Sequence, residues 1–235
     1  MIETALYLIP VQLSDGELNC VLPQANIALV SHIKHFIVEN VRSARRFLKK
    51  CDREIDIDSL TFYELNRHTD PRQVSTYLDA LEKGEPMGVI SEAGCPAIAD
   101  PGADVVAIAQ RKGLKVHPLV GPSSILMGLM GSGFNGQSFA FIGYLPIEAG
   151  ARARKLKEME QRIVKENQTQ IFIETPYRNN SLLAEMVKSL PANLKLCIAT
   201  NITGEREQII TRGVKEWGKH PIDLNKVPTI FLLYK

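Results

Sequence analysis

Few stretches of this 235-residue chain carry residue types spaced for chemistry, and the most informative is Ser91-Glu92-Ala93-Gly94. It follows the short apolar run Met87 to Ser91, bracketed upstream by Gly84-Glu85-Pro86, and so sits at the C-terminal end of an expected strand. Open α/β sheets bind ligands at that end of their strands. Gly94 would let a ligand approach the backbone, and a carboxylate at Glu92 or Asp100 suits a cationic or polyhydroxylated ligand. The connection from residue 92 to 99 is longer than most strand-to-helix links, which favours a binding loop.

Two basic clusters offer a second chemistry. Arg42, Arg45, Arg46, Lys49 and Lys50 share one amphipathic helix, and Arg152, Arg154, Lys155 and Lys157 open another. Cations in a first turn oppose the helix dipole. A solvated face or a contact with a phosphate backbone would each account for them.

Other patterns fail on context. Gly131-Ser-Gly133-Phe-Asn-Gly136 fits a dinucleotide fingerprint in spacing, but follows an expected helix and precedes a strand, the reverse of what the fingerprint needs. No phosphate-binding GxxxxGK[ST] loop is present. His32, His35 and Glu39 would share a helical face as metal ligands, but Phe36-Ile37-Val38 favours a strand, and no metal is expected. Ser123 and Ser124 lack a nucleophile elbow and read as helix-capping hydroxyls that a ligand could also use.

The elements that must position these residues alternate. Strands are expected at 4–9, 35–39, 87–91 and 114–120, with helices at 41–50, 70–84 and 103–112. Asp100-Pro101 marks the start of the last helix and Gly113 its end. Strand, helix, strand with short links implies a parallel sheet with right-handed crossovers. Strands and helices go on alternating beyond Ser138, through the long charged helix 151–167, to closing strands near 205–213 and 227–234. Pro118 and Gly121-Pro122 punctuate the middle, and the charge changes there. Residues 1–117 carry 13 Lys and Arg against 16 Asp and Glu, whereas residues 118–235 carry 15 against 10. Two domains, 1–117 and 118–235, are expected.

Composition is near the globular average, with 45% hydrophobic and 23% charged residues, which excludes disordered and collagen-like classes. No apolar run approaches the ~18–20 residues that cross a bilayer, and the start reads as a first strand, so no membrane association is expected. Cys20, Cys51, Cys95 and Cys197 form no CxxC pair, which suits reduced thiols in a cytoplasmic protein.

The stretch from Val89 to Gly133 resembles the tetrapyrrole methylase superfamily of S-adenosylmethionine-dependent methyltransferases, and within it the 16S rRNA cytidine-2′-O-methyltransferase group. That group carries S-D-A-G-x-P-x-I-x-D-P-G, then a strand, then P-G-P-S/C. The matching residues are Ser91, Glu92 (for Asp), Ala93, Gly94, Pro96, Ile98, Asp100, Pro101, Gly102, Gly121 and Pro122. The similarity continues through Phe141-x-Gly143-x-Leu145-Pro146, the Arg152/Arg154 helix start, Phe172-Ile-Glu174-Thr-Pro176-Tyr-Arg178, Val41 to Leu48, and Glu64-Leu-Asn66.

The resemblance implies two α/β domains of the tetrapyrrole methylase type with the cofactor cleft between them, in a homodimer. It places S-adenosyl-L-methionine on Pro10, Ser91, Glu92, Ala93, Gly94, Ile98, Asp100, Ser123, Ser124, Ile142, Tyr144, Asn201, Pro228 and Thr229. The implied reaction is methylation of a ribose 2′-hydroxyl of small-subunit rRNA, with Glu39 as base, Arg42 beside it, and Arg45, Arg46, Arg152 and Arg154 on phosphates. Two departures stand out. The group's P-I-G-N-L-x-D loop is Pro10-Val-Gln12-Leu-Ser-Asp15 here, and its E-D-T-R-H-T is Glu39-Asn40-Val41-Arg42-Ser43-Ala44. Both fall where the acceptor would sit. They leave two alternatives: a tetrapyrrole acceptor on the same donor site, or a relative that has lost catalysis.

Overall fold

The computed structural model describes residues 2–66 and 68–235. The chain divides into two compact units, Met1–Ser123 and Ser124–Lys235.

The first unit is built on a five-stranded, wholly parallel sheet. Its strands are β1 (Leu6–Ile9), β2 (His35–Val38), β3 (Thr61–Glu64), β4 (Met87–Ile90) and β5 (Val116–Pro118), in the order β3-β2-β4-β1-β5. Side chains alternate across a pleated strand, and here each face has its own core. Tyr7, Ile9, Phe36, Val38 and Ile90 pack on one side with Ile27 of α1 (Gln24–Leu29) and with Ala44, Phe47 and Leu48 of α2 (Val41–Cys51). Leu6, Leu8, Ile37, Met87 and Val89 pack on the other, against Leu78, Leu81, Val105 and Ala109.

The helix expected over 70–84 is broken. It forms two single turns, α3 (Pro71–Val74) and α4 (Asp79–Glu82). Between them the hydroxyls of Ser75 and Thr76 donate back to the carbonyls of Arg72 and Gln73, at 2.8 Å each. Such local bonds compete with the helical ladder. The Tyr77 hydroxyl also reaches the Glu64 carbonyl, at 2.7 Å. The helix α5 (Gly102–Arg111) completes the unit.

The second unit holds a mixed sheet of strands β6 (Phe139–Tyr144), β7 (Thr169–Ile173), β8 (Lys195–Thr200), β9 (Gln208–Gly213) and β10 (Thr229–Tyr234), in the order β6-β7-β10-β8-β9. Only β6 and β7 run parallel. One face packs Phe172 on Phe231 (ring centroids 5.6 Å apart) beneath α7 (Ala149–Glu166) and α8 (Asn179–Ser189). On α6 (Ser124–Ser132), Gly128 and Gly131 press onto Ile230 and Ile209 of the sheet. The GxGxxG stretch is therefore the end of α6 and its turn into β6.

At Gly88 the first sheet leaves no room for a side chain. A Cβ there would lie 2.8 Å from Ile9 Cδ1 and 2.9 Å from Phe36 Cδ1, both on buried neighbouring strands. Gly88→Val is expected to lower unfolding free energy by about 1–3 kcal/mol through overpacking, read as a lower midpoint in denaturant titration.

Candidate functional site

In a parallel sheet all strand C-termini share one edge, and β1 and β4 are neighbours whose connections leave in opposite directions, to β2 and β5. That is a topological switch point, where open α/β sheets bind ligands. Pro10 and Ser91 follow these two strands. The pairing continues beyond them as an antiparallel bridge in which Val11 N–H donates to Gly94 O at 2.9 Å and Gly94 N–H to Val11 O at 3.2 Å. Gly94 has φ +71°, and a Cβ there would press on Leu13 and on the Pro122 carbonyl. Gly121 is seated on Pro10 so closely that a Cβ would meet the proline ring at 2.2 Å. The segments 10–13, 91–94 and 121–122 are thus locked together by backbone contact.

The rest of the 92–99 connection is fixed locally. Asp100 Oδ1 accepts from the N–H groups of Ala97 and Gly102, at 2.8 Å each, so its carboxylate braces the loop and the start of α5. Ala97 and Ala99 hold positive φ, 65° and 59°, a conformation that costs an L-residue about 1–2 kcal/mol. Ile98 between them is 53% exposed.

A cavity of about 420 Å³ opens beside this edge. Gln12 lines it from the loop after β1, Ser43, Arg46 and Lys50 from one face of α2, and Ser91 and Glu92 from the end of β4. Ser43 Oγ donates to Glu92 Oε2 at 2.9 Å. Asn40 caps α2 through its side chain, accepting from the N–H groups of Arg42 and Ser43, and so sets where that face begins. Glu39 lines a second crevice of about 10 Å³ with Leu65, Val89, Asp100 and Gly102. The two carboxylates border adjoining spaces that share Ile90 and Ser91, and the one beside Glu92 is the larger.

The basic residues divide by role. Lys49 donates to the carbonyls of Arg53 and Ile55, tying down the chain after α2. Arg45 lies over the Phe62 ring, 5.5 Å from its centroid. Arg42, Arg46 and Lys50 are exposed, and Lys50 lies 3.7 Å from Asp15. In the second unit Arg152 pairs with Glu185 at 2.7 Å and donates to the Ile147 carbonyl, so it braces the loop before α7, whereas Arg154 is exposed. Glu148 caps α7 and accepts from Gly150 and Ala151, which holds its carboxyl below the usual range and offsets the basic first turn.

The second unit gathers its own set along one sheet edge. The β6–β7 register slips between Phe141 and Gly143, making Ile142 a bulge residue; Gly143 follows at φ +76°, and Tyr144 is 52% exposed. Across the sheet, Asn201 leaves β8 at φ 47° and its N–H donates to the Pro228 carbonyl at 3.1 Å, with Thr229 paired to Thr200. Bulges recur beside functional sites because they re-aim side chains. Ser124 opens α6, directly after Ser123.

Over 204 residues, 87% of the chain, the sequence is 32% identical to the ribosomal RNA small subunit methyltransferase I of Vibrio cholerae, of which the match covers 67%. The chain belongs to the ribosomal RNA small subunit methyltransferase I family. It is also 32% identical over 164 residues to the Pasteurella multocida protein of that name and 31% over 182 to that of Halalkalibacterium halodurans, spanning 57% and 59% of their lengths. No protein-family model matches. Solved structures share the fold: the methyltransferase CobJ (TM-score 0.65, 12% identity, 98% of this chain and 94% of that one) and the uroporphyrin III C-methyl transferase of Thermus thermophilus (0.59, 14%, 98% and 97%). The α/β class expected from the sequence is the class found.

Of the positions that differ from the motif of the group it resembles, Gln12, Ser43 and Glu92 line one cavity, whereas Asn40, Val41 and Ala44 do not line it. In sequence Gln12 and Ser43 fall in two separate departing stretches and Glu92 is a conservative match for Asp; their sharing one cavity was not legible there. Among the described residues no group of three or more His, Cys, Asp or Glu is placed to hold a metal ion, and no helix is long and apolar enough to cross a membrane.

Burial raises the Asp100 pKa, against two backbone hydrogen bonds that lower it. The folded state therefore favours the protonated carboxyl, and that stabilisation is complete below the unfolded pKa of about 4 and is lost as pH rises through the raised value. Asp100→Asn keeps the Oδ1 acceptor without a titrating charge. The stability of the unaltered protein minus that of the variant should fall from pH 4 to pH 7 in denaturant titrations; a rise would contradict this account.

Proposed function

We propose that this chain is an S-adenosylmethionine-dependent methyltransferase acting on a ribose 2′-hydroxyl of small-subunit rRNA. The observation that carries this reading is the 32% identity over 87% of the chain to a ribosomal RNA small subunit methyltransferase I. The residues present fit the donor. Pro10, Ser91, Ala93, Gly94, Ile98, Ser123 and Ser124 offer backbone groups, hydroxyls and a small apolar surface, while Asp100 holds the loop that carries Ile98. Ile142, Tyr144, Asn201, Pro228 and Thr229 offer an exposed ring and backbone in bulged or left-handed geometry. At Gly143 a Cβ would meet nothing within 4 Å, which leaves that backbone open to a ligand. One solved neighbour of this fold is a complex with S-adenosylhomocysteine.

When bound, the donor supplies a methyl group on a positively charged sulfur. The chain's own task is to hold the acceptor oxygen in line with that methyl, an effect that can supply about 7–11 kcal/mol. A hydroxyl acceptor also needs a base, typically worth ~10²–10⁴-fold. Arg46, Lys50 and Arg154 remain exposed for phosphates. Exposed Leu126 and Met130, one turn apart on α6, support the reading that the protein works as a homodimer. Four free cysteines, with Cys51 pushed up to about 12 by burial and Asp52, fit the reducing cytoplasm where ribosomes are built.

Labelled methyl transfer onto fractionated small-subunit rRNA, beside porphyrinogen substrates, tests the proposal. Label should enter rRNA, and rRNA binding should weaken steeply with salt. Label in the porphyrinogen alone would replace this reading with a tetrapyrrole acceptor. Absence of calorimetric binding at millimolar S-adenosylmethionine would instead mark a relative without the activity.

A further inference from the structure

Three facts converge on the cavity between α2 and the ends of β1 and β4. First, two positions that depart from the motif the chain resembles are in contact. Glu92 stands for Asp and Ser43 for His, and Ser43 Oγ donates to Glu92 Oε2 at 2.9 Å. A carboxylate shorter by one methylene together with the longer imidazole could span the same gap. Second, the amide oxygen of Gln12, a further departure, is buried with no hydrogen-bond partner among the described residues. A buried acceptor without a donor is costly, typically about 1–3 kcal/mol, and a ligand N–H or O–H would relieve it. Third, Arg46 and Lys50 follow Ser43 at spacings of three and seven on the same face of α2. Lys50 lies 3.7 Å from the exposed Asp15, and exposed pairs of this kind are weak.

We propose that this cavity is the acceptor subsite and takes a phosphorylated ribose unit of single-stranded RNA, with Glu92 as the catalytic base and Ser43 as its positioning residue. The proposal rests on the rRNA reading above. Ser43 donates to one oxygen of Glu92; the 2′-hydroxyl of the acceptor donates to the other. Glu92 takes the hydroxyl proton while the oxygen's electron pair forms the new bond to the methyl carbon. The methyl's bond to sulfur breaks with its electron pair left on sulfur, and the proton passes from Glu92 to water. Arg46 and Lys50 hold the adjoining phosphate, and Gln12 accepts from an N–H or O–H of the same nucleotide.

The test begins without donor. Binding of a fluorescent four-nucleotide RNA and its 2′-deoxy counterpart is compared by anisotropy in the full chain. A hydroxyl bonded to a carboxylate predicts about tenfold tighter binding of the ribose form. Glu92→Ala and Glu92→Asp should each erase that ratio, and Ser43→Ala should reduce it, whereas Ser43→Thr, which keeps the hydroxyl, should retain it. The double variant Glu92→Asp with Ser43→His should restore it, which a merely structural contact would not do. Arg46→Gln with Lys50→Gln should weaken both oligonucleotides equally and flatten their salt dependence. Methyl transfer to rRNA should fall at least a hundredfold in Glu92→Ala. Equal binding of the two oligonucleotides by the unaltered protein, or full rRNA methylation by Glu92→Ala, would overturn the subsite while leaving the rRNA reading intact. Failure of the unaltered protein to label rRNA would overturn the reading itself. Thermal unfolding of each variant shows that losses arise in folded protein.

Discussion

The parallel pairing of β1 with β4 is the constraint on which the first unit depends. Leu6 to Ile9 lie in register with Met87 to Ile90, so the two strands end side by side. Because both run the same way, the loops that follow must emerge at the same edge, and the Val11–Gly94 bridge stitches them together beyond the sheet. Everything with chemical potential in this unit hangs from that edge: the Pro10–Gly121 contact, the braced 92–99 connection, and the cavity under α2. An antiparallel pair would have sent these loops to opposite ends.

The second unit solves a similar problem by different means. Its β8, β9 and β10 alternate in direction, so a shared edge cannot come from strand polarity alone. Ile142 is extruded as a bulge, and Asn201 and Pro228 meet where β8 ends and β10 begins. A Phe172–Phe231 stack in the middle of the sheet and the Trp217 indole N–H donating to the Leu196 carbonyl keep the strands beneath these irregularities rigid. Irregular backbone at the rim is affordable because the layer below it is fully packed.

Much of this was legible in the sequence. The apolar runs of β1, β2 and β4, the basic amphipathic α2 and the 92–99 connection all follow from periodicity and punctuation. Three features did not. The break between α3 and α4 arises from Ser75 and Thr76 bonding backwards, a competition that hydrophobic spacing does not register. The basic clusters looked uniform, yet Lys49 and Arg152 are engaged by nearby carbonyls and Glu185, which only the folded neighbours reveal. The Ser43–Glu92 contact joins residues 49 apart in sequence and depends on how α2 crosses the sheet edge. The resemblance puts the base at Glu39 and gives Glu92 to the donor; the space beside each carboxylate is visible only in the fold.

The buried strand β1 also sets a timetable for the protein's own synthesis. Leu6 pairs with Met87 and with Val116, so neither neighbour exists when Leu-Tyr-Leu-Ile first leaves the ribosome. At about 5–20 residues per second, roughly 5–20 seconds pass before the second partner is made. Throughout that interval four residues destined for the middle of a sheet present two unpaired edges and apolar side chains on both faces. The same long-range closure that brings Pro10 to Ser91 leaves the nascent first unit open to wrong pairing until both partner strands have been made.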